Sequence, residues 1–283
     1  MLKALIKYNS LLKIPVMTNS KLKLFWWSEI HLMNKSKENF GDLVGKYLVE
    51  KISGQHAVFT YPKKQQWKHF LNPVYVTAGS ILAHVNKNCI VWGSGIINKD
   101  EVVKSARFLS VRGPQTRKKL LKQGYQVPKK YGDPALLLPQ YYQPTIKKKY
   151  TYGFIPHYVD YEKVCQTFDS RTDMKVIDLM TNSVENTIDQ FLECKYIISS
   201  SLHGLIVAHA YKIPAVWMKF SNKLFGDDIK FRDYFESVDI SNYNALSPKI
   251  ELSRIDFNSV KALPQPQLIE KCQNDLLMSC PFI

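Results

Sequence analysis

The sequence predicts a parallel α/β fold arranged in two units. Short apolar runs of strand length alternate with stretches of helical period, and a segment rich in Pro, Tyr, Gln and Lys breaks the alternation once, near the middle. In the first half, residues 23–27 read as a strand. Residues 42–51 carry Leu43, Val44, Tyr47 and Leu48 at helical spacing and stop at Gly54. Strands follow at 57–60, 74–77, 89–92 and 108–111. Pro114 stands where a helix can begin, and residues 116–122 continue it to Gly124. The interruption occupies residues 139–149, so the expected units are 1–142 and 143–283, with the C-terminal tail packing back on the first. In the second unit, strands are expected at 152–156, 175–179, 196–199 and 215–218, and helices at 183–194 and 202–211.

The chain has 283 residues, 45% hydrophobic and 22% charged, which is the composition of a globular protein rather than a disordered one. No apolar run approaches the ~20 residues that cross a bilayer. Lys3, Lys7 and Lys13 surround short apolar pieces in the manner of a signal peptide. Tyr8, Asn9 and Ser10 interrupt them, so a mature, cytoplasmic N-terminus is expected. Basic side chains outnumber acidic ones 39 to 24, a formal charge of +15 that favours anionic partners. The lysines are scattered and accompany no recognition motif, which argues against nucleic acid. Phosphorylated small molecules and peripheral contact with the inner face of an anionic membrane fit better. Cys89, Cys165, Cys194, Cys272 and Cys280 are odd in number and irregularly spaced, so neither a disulfide framework nor a metal site is expected.

In open parallel sheets, ligands bind beyond the C-terminal ends of strands. Gly79 and Ser80 follow one such end, and Gly93, Ser94 and Gly95 follow another. Glycines there let backbone N–H groups approach a ligand, although neither turn matches a nucleotide fingerprint. The strongest feature is Ser199, Ser200, Ser201, Leu202, His203 and Gly204, where a buried strand runs through three hydroxyls into an apolar helix. The free N–H groups of that helix suit a phosphate or carboxylate, and His203 can add a hydrogen bond or carry a proton. Arg112, at another strand end, offers a planar fork for an anion. Asn39 and Asp42 open the first helix, where Asp42 can favour the helix dipole or bind a sugar hydroxyl. His157 ends a strand of the second unit and is a lesser candidate.

Taken together, the segments NFGD (39–42), the turns at 78–80 and 93–95, SVRGPQTRKKL (110–120), YGDPALLLP (131–139), GFIPHYVD (153–160), SSSLHGLIVAHAYKIPAVW (199–217) and KFRDYFESV (230–238) resemble the polysaccharide pyruvyl transferase family. The resemblance implies two Rossmann-like domains facing a cleft, similar to the GT-B arrangement, with the acceptor on the N-terminal side and the donor on the C-terminal side. It implies transfer of the enolpyruvyl carbons of phosphoenolpyruvate onto two hydroxyls of a hexose as a cyclic ketal, releasing phosphate and needing no cofactor. The acceptor would be a saccharide of a capsular or exopolysaccharide precursor, lipid-linked forms included. By resemblance, His203 would be phosphate ligand or proton carrier, and Arg112 a carboxylate clamp or part of the proton-donating apparatus. Many relatives have Asp after the motif arginine, where this chain has Gly113, so the partner of Arg112 must come from elsewhere, with Asp133 one possibility. Two other classes compete: a GT-B glycosyltransferase using a nucleotide sugar, and a non-catalytic module binding anionic glycans.

Overall fold

The computed structural model describes residues 21–65, 72–168, 171–221, 223 and 226–283. The lysine-bearing stretch read as a mature N-terminus lies outside them. Two parallel sheets form the frame. The first contains β1 (Leu22–Phe25), β3 (Ala57–Phe59), β4 (Val74–Val76), β5 (Cys89–Trp92) and β6 (Arg107–Ser110), in the order β3-β1-β4-β5-β6. The second contains β7 (Tyr150–Ile155), β8 (Met174–Val176), β10 (Cys194–Ser199) and β11 (Ala215–Trp217), in the order β11-β10-β7-β8. Every ladder in both sheets is parallel. Helices therefore cover both faces, and central strands such as β10 carry apolar side chains on successive positions. Between the sheets runs one short antiparallel ladder, β2 (Glu38–Asn39) with β9 (Met180–Thr181).

The helices are α1 (Glu29–Met33), α2 (Phe40–Ser53), α3 (Pro114–Lys122), α4 (Leu138–Tyr141), α5 (Tyr161–Phe168), α6 (Val184–Leu192), α7 (Leu202–Ala210), α8 (Ile229–Ser237) and α9 (Pro266–Met278). The largest apolar cluster does not respect the midpoint of the chain. Phe40, Val44 and Leu48 of α2 share it with Ile188 and Phe191 of α6, Leu205 and Ile206 of α7, and the buried turn Ala135–Leu138. Helix α9, from the end of the chain, joins the same cluster through Ile269, Cys272 and Leu276. It is fixed by polar bonds as well: the indole of Trp92 donates to the Leu276 carbonyl at 2.9 Å, and Gln273 donates to that of Leu136 at 2.7 Å. All five cysteines are unpaired. No helix among the described residues is long and apolar enough to cross a membrane.

Both sheets reverse their winding direction at an interior strand pair. In the first, the chain moves from β1 outward to β3 and then returns to β4 on the other side of β1; in the second it moves from β7 to β8 and returns to β10. At such switch points the following loops diverge and leave a crevice at the strand C-termini. The loops after β1, β4, β7 and β10 open onto the same space.

Because α9 closes the shared cluster, Leu276→Ala should destabilise the whole molecule by about 2–5 kcal/mol. At about 2–4 °C per kcal/mol, a single cooperative thermal transition should shift down by several degrees. An unchanged midpoint would show that α9 is not part of the cooperative core.

Candidate active site

A cavity of about 930 Å³ lies where those loops meet. Trp27 lines it from beyond β1, Gly79 and Ser80 from beyond β4, and Asn98 to Glu101 from beyond β5. Asn39 and Asp42 reach it from the start of α2, His157 and Tyr158 from beyond β7, Ser201 to His203 from the start of α7, and Asp227 and Lys230 from the start of α8. Three helix N-termini thus converge. At α2, Asn39 caps the backbone, its side chain accepting from Gly41 N at 3.0 Å. At α7, the Ser201 side chain makes no capping bond, so the first N–H groups of that helix are left for a ligand.

His203 stands in the first turn of α7. Its ring lies so close to the start of α2 that a β-carbon on Gly41 would overlap Nδ1, which is why this contact admits only glycine. The other nitrogen, Nε2, is 3.5 Å from Oδ2 of Asp133, a fully buried carboxylate. Across the cavity, burial pushes the Asp42 carboxyl up to about 7, against the opposing pull of His203. Burial lowers Lys230 to about 8, helped by the like charge of Arg112, and lowers His157 to about 4, helped by Lys230. Near neutral pH the cavity therefore holds a carboxyl close to its midpoint, a neutral imidazole at His157, and a lysine ready to lose its proton.

Several predicted residues are not brought to this surface. Ser199 and Ser200 are buried behind the junction: the Ser199 hydroxyl lies 3.0 Å from the Ile155 carbonyl and 2.9 Å from that of Ser201, and Ser200 Oγ accepts from His157 N at 2.8 Å. They shape the loop rather than face a ligand. Gly204 packs against Ser199, and Gly93 against Pro134. Ser94 is buried, its hydroxyl donating to Gly79 O at 2.8 Å, and Gly95 lies under the guanidinium of Arg112.

Arg112 itself is fully buried and does not line the cavity. Its Nε donates to Asp233 Oδ2 at 3.0 Å, Nη1 to Ser80 Oγ at 2.6 Å and Nη2 to Ile96 O at 2.7 Å. Asp233, on α8, also accepts from Thr116 N at 2.9 Å and from Thr116 Oγ1 at 2.6 Å. The partner that Gly113 fails to supply is therefore Asp233 and not Asp133. A side chain at 113 would itself strike the Asp233 backbone. His209, one face further along α7, is equally structural: its ring lies 2.8 Å from Tyr234 Oη and 3.0 Å from Ala262 O.

Lys230 and Asp233 lie in the segment KFRDYFESV but were not singled out there, Asp133 was considered only as a partner for Arg112, and Trp27 carried no signal at all. Glu38 was missed as well, although it builds the cavity rim: its carboxylate accepts from Trp26 Nε1 at 3.2 Å, Ser28 Oγ at 2.6 Å and Glu29 N at 2.7 Å.

The sequence model described as polysaccharide pyruvyl transferase matches residues 24–222. The chain belongs to the polysaccharide pyruvyl transferase family. The matched span begins within β1, contains every later strand of both sheets and the first turn of α7, but ends before α8, with Lys230 and Asp233 beyond it. An uncharacterized protein of Acanthamoeba polyphaga mimivirus is 35% identical over 205 residues, covering 69% of each chain. No solved structure matches significantly. Membership of this family supports a transferase acting in polysaccharide modification.

Removing the charge of Arg112 leaves Asp233 buried without its cation, so Arg112→Met should cost about 3–5 kcal/mol, read as a fall in melting temperature. For Asp42, the folded state holds a proton that the unfolded chain releases between about pH 4 and 7. The stability this group contributes is complete below pH 4 and is lost as pH rises through 7. Asp42→Asn should accordingly melt higher than the parent at pH 8 and converge with it at pH 4; a constant difference between the two pH values would contradict the raised carboxyl.

Proposed function

We propose that this chain transfers the enolpyruvyl carbons of phosphoenolpyruvate to two hydroxyls of a saccharide, forming a cyclic ketal and releasing phosphate. The observation that carries this reading is the convergence of the uncapped α7 N-terminus, His203 and Lys230 on one cavity in a chain of this family. The α7 N–H groups, Ser201 and His203 hold the phosphate, and the Lys230 ammonium neutralises the remaining anionic charge. With Arg112 committed to Asp233, positive charge at the donor comes from lysine and helix rather than from guanidinium. We read the two sheets as the two halves of a GT-B-like arrangement, with Trp27, Asn39 and Asp42 on the acceptor side.

In the reaction, a proton added to the methylene carbon makes C2 electrophilic, and one acceptor hydroxyl attacks it. The second hydroxyl attacks as the C2–O bond to phosphate breaks. Of the two hydroxyl protons, one balances the proton now in the methyl group and the other leaves with phosphate. Asp42, titrating near 7, is suited to take a proton from an attacking hydroxyl, and His203 to deliver one to the donor. These steps call for an acid, a base and anion ligands, and for no cofactor.

Phosphoenolpyruvate at about 100 times its Kd should stabilise the protein by about 2.7 kcal/mol, a rise in melting temperature of roughly 5–10 °C. A nucleoside diphosphate should give no shift; the reverse pattern would favour a nucleotide-sugar glycosyltransferase. Incubation with phosphoenolpyruvate and a panel of saccharides, lipid-linked ones included, should yield a product heavier by the pyruvyl increment. His203→Ala should abolish that product, and a His203→Ala protein with normal turnover would refute the assignment. Lys230→Met should weaken donor binding about 10–100-fold, the loss of one charge-assisted bond, while raising the melting temperature of the free protein because a partly desolvated charge is gone.

A further inference from the structure

We propose that Asp133 is a positioning residue that holds the His203 imidazole in a single tautomer, with the proton on Nε2. Asp133 is fully buried, and its two oxygens have different fates. Oδ1 accepts from Ala135 N at 3.0 Å and so caps the buried turn that follows. Oδ2 is buried without a hydrogen-bond partner, and so is Nε2 of His203, and the two atoms face each other at 3.5 Å. Capping needs only one oxygen, which serine or asparagine would supply equally well. The second oxygen of a carboxylate left unsatisfied in the interior costs free energy unless it serves the ring.

The direction of the bond follows from chemistry. A carboxylate only accepts, so Nε2 must donate when the contact shortens to hydrogen-bonding distance, and the neutral ring then carries its lone pair on Nδ1. Nδ1 is the nitrogen packed over Gly41 at the head of α2, beside Asp42. The backbone around Asp133 is suited to fixing the carboxylate in place: Pro134 follows it and packs against Gly93, and Leu276 packs against Gly132 before it. His203 must therefore take up a proton at Nδ1 before it can donate to a phosphate or deliver that proton, and whatever proton it exchanges with a ligand passes through Nδ1. That last statement rests on the function proposed above; the tautomer itself does not.

The test is the nitrogen spectrum of the full chain with labelled histidine, in which long-range 15N–1H correlations distinguish the tautomers, with His203→Gln identifying the resonance. The parent should show protonated Nε2 and unprotonated Nδ1. In Asp133→Asn, the amide oxygen can keep the bond to Ala135 N, which turns an NH2 donor toward Nε2. The tautomer should then reverse. Asp133→Ser keeps the cap and removes the partner, so mixed tautomers are expected, and it carries the test should Asp133→Asn fail to fold. An unchanged pattern in the folded variant would overturn the proposal. On the activity side, Asp133→Asn should lower kcat about 10–100-fold, the range for loss of a supporting partner, with the phosphoenolpyruvate KM little changed. Reversal of the tautomer with unaltered kcat would leave the positioning role standing and sink proton transfer by His203 instead.

Discussion

The carboxylate of Asp233 is the constraint on which the site depends. It takes three bonds in the interior, from Arg112 Nε, Thr116 N and Thr116 Oγ1, and so fastens α8 to the start of α3. An ion pair this deep contributes little net stability compared with apolar residues of the same shape, because both charges lose their hydration. What it contributes is geometry. Arg112, held at Nε, reaches Ser80 and the Ile96 carbonyl with its remaining nitrogens, and this fixes the turns after β4 and β5 that line the cavity. The same bonds set the first turn of α8, and hence the place of Lys230. Gly113 is part of the arrangement, since any β-carbon there would displace the Asp233 backbone.

Electrostatics inside the cavity follow from that placement. Lys230 is desolvated and sits near a second cation whose charge Asp233 only partly offsets, so it is lowered to about 8 rather than held as a fixed cation. Asp42 shares the enclosure and is raised to about 7, with Glu29 and Glu38 adding to the effect. Two groups of opposite type whose proton affinities are drawn toward each other form a site that can exchange protons near neutrality. Each would be ordinary in water. Their shifts are consequences of enclosure by loops from both sheets.

Much of the fold was open to reading because parallel strands buried on both faces appear as short apolar runs, as in Val74–Val76 and Cys194–Ser199. The strand-to-helix junction at Ser201 to His203 was equally plain, since a triple serine before an apolar helix is unusual chemistry. Other elements left no such trace. Strands β2 and β9 are two residues each, too short for a period. Helix α8 reads as a charged segment in which nothing separates the buried Asp233 from the neighbouring Asp227 and Asp228. Arg112 was expected at the cleft because it ends a strand, but its fork was already filled by partners distant in sequence. Ser199, Ser200, Gly93, Ser94 and Gly95 share this outcome: residues adjacent in sequence to a site can be the packing that shapes it.

The distinction between shaping and contacting also separates the guanidinium of Arg112 from the charges that line the cavity. Arg112 lies close behind Ser80 with its guanidinium bonded to Asp233, so its charge reaches the ligand space only indirectly, through its effect on Lys230. Among the groups that line the space, enclosure has moved Asp42 up to about 7, Lys230 down to about 8 and His157 down to about 4. A permanent guanidinium at the same surface would bind an anion tightly before and after reaction alike, which lowers the barrier of neither step. A lysine near its midpoint, together with helix N–H groups that carry no net charge, binds the anion while remaining able to release it once the charge has moved. The buried Arg112–Asp233 pair thus holds its charges in the frame, while Asp42 and Lys230, whose proton affinities enclosure has shifted, stand at the ligand space.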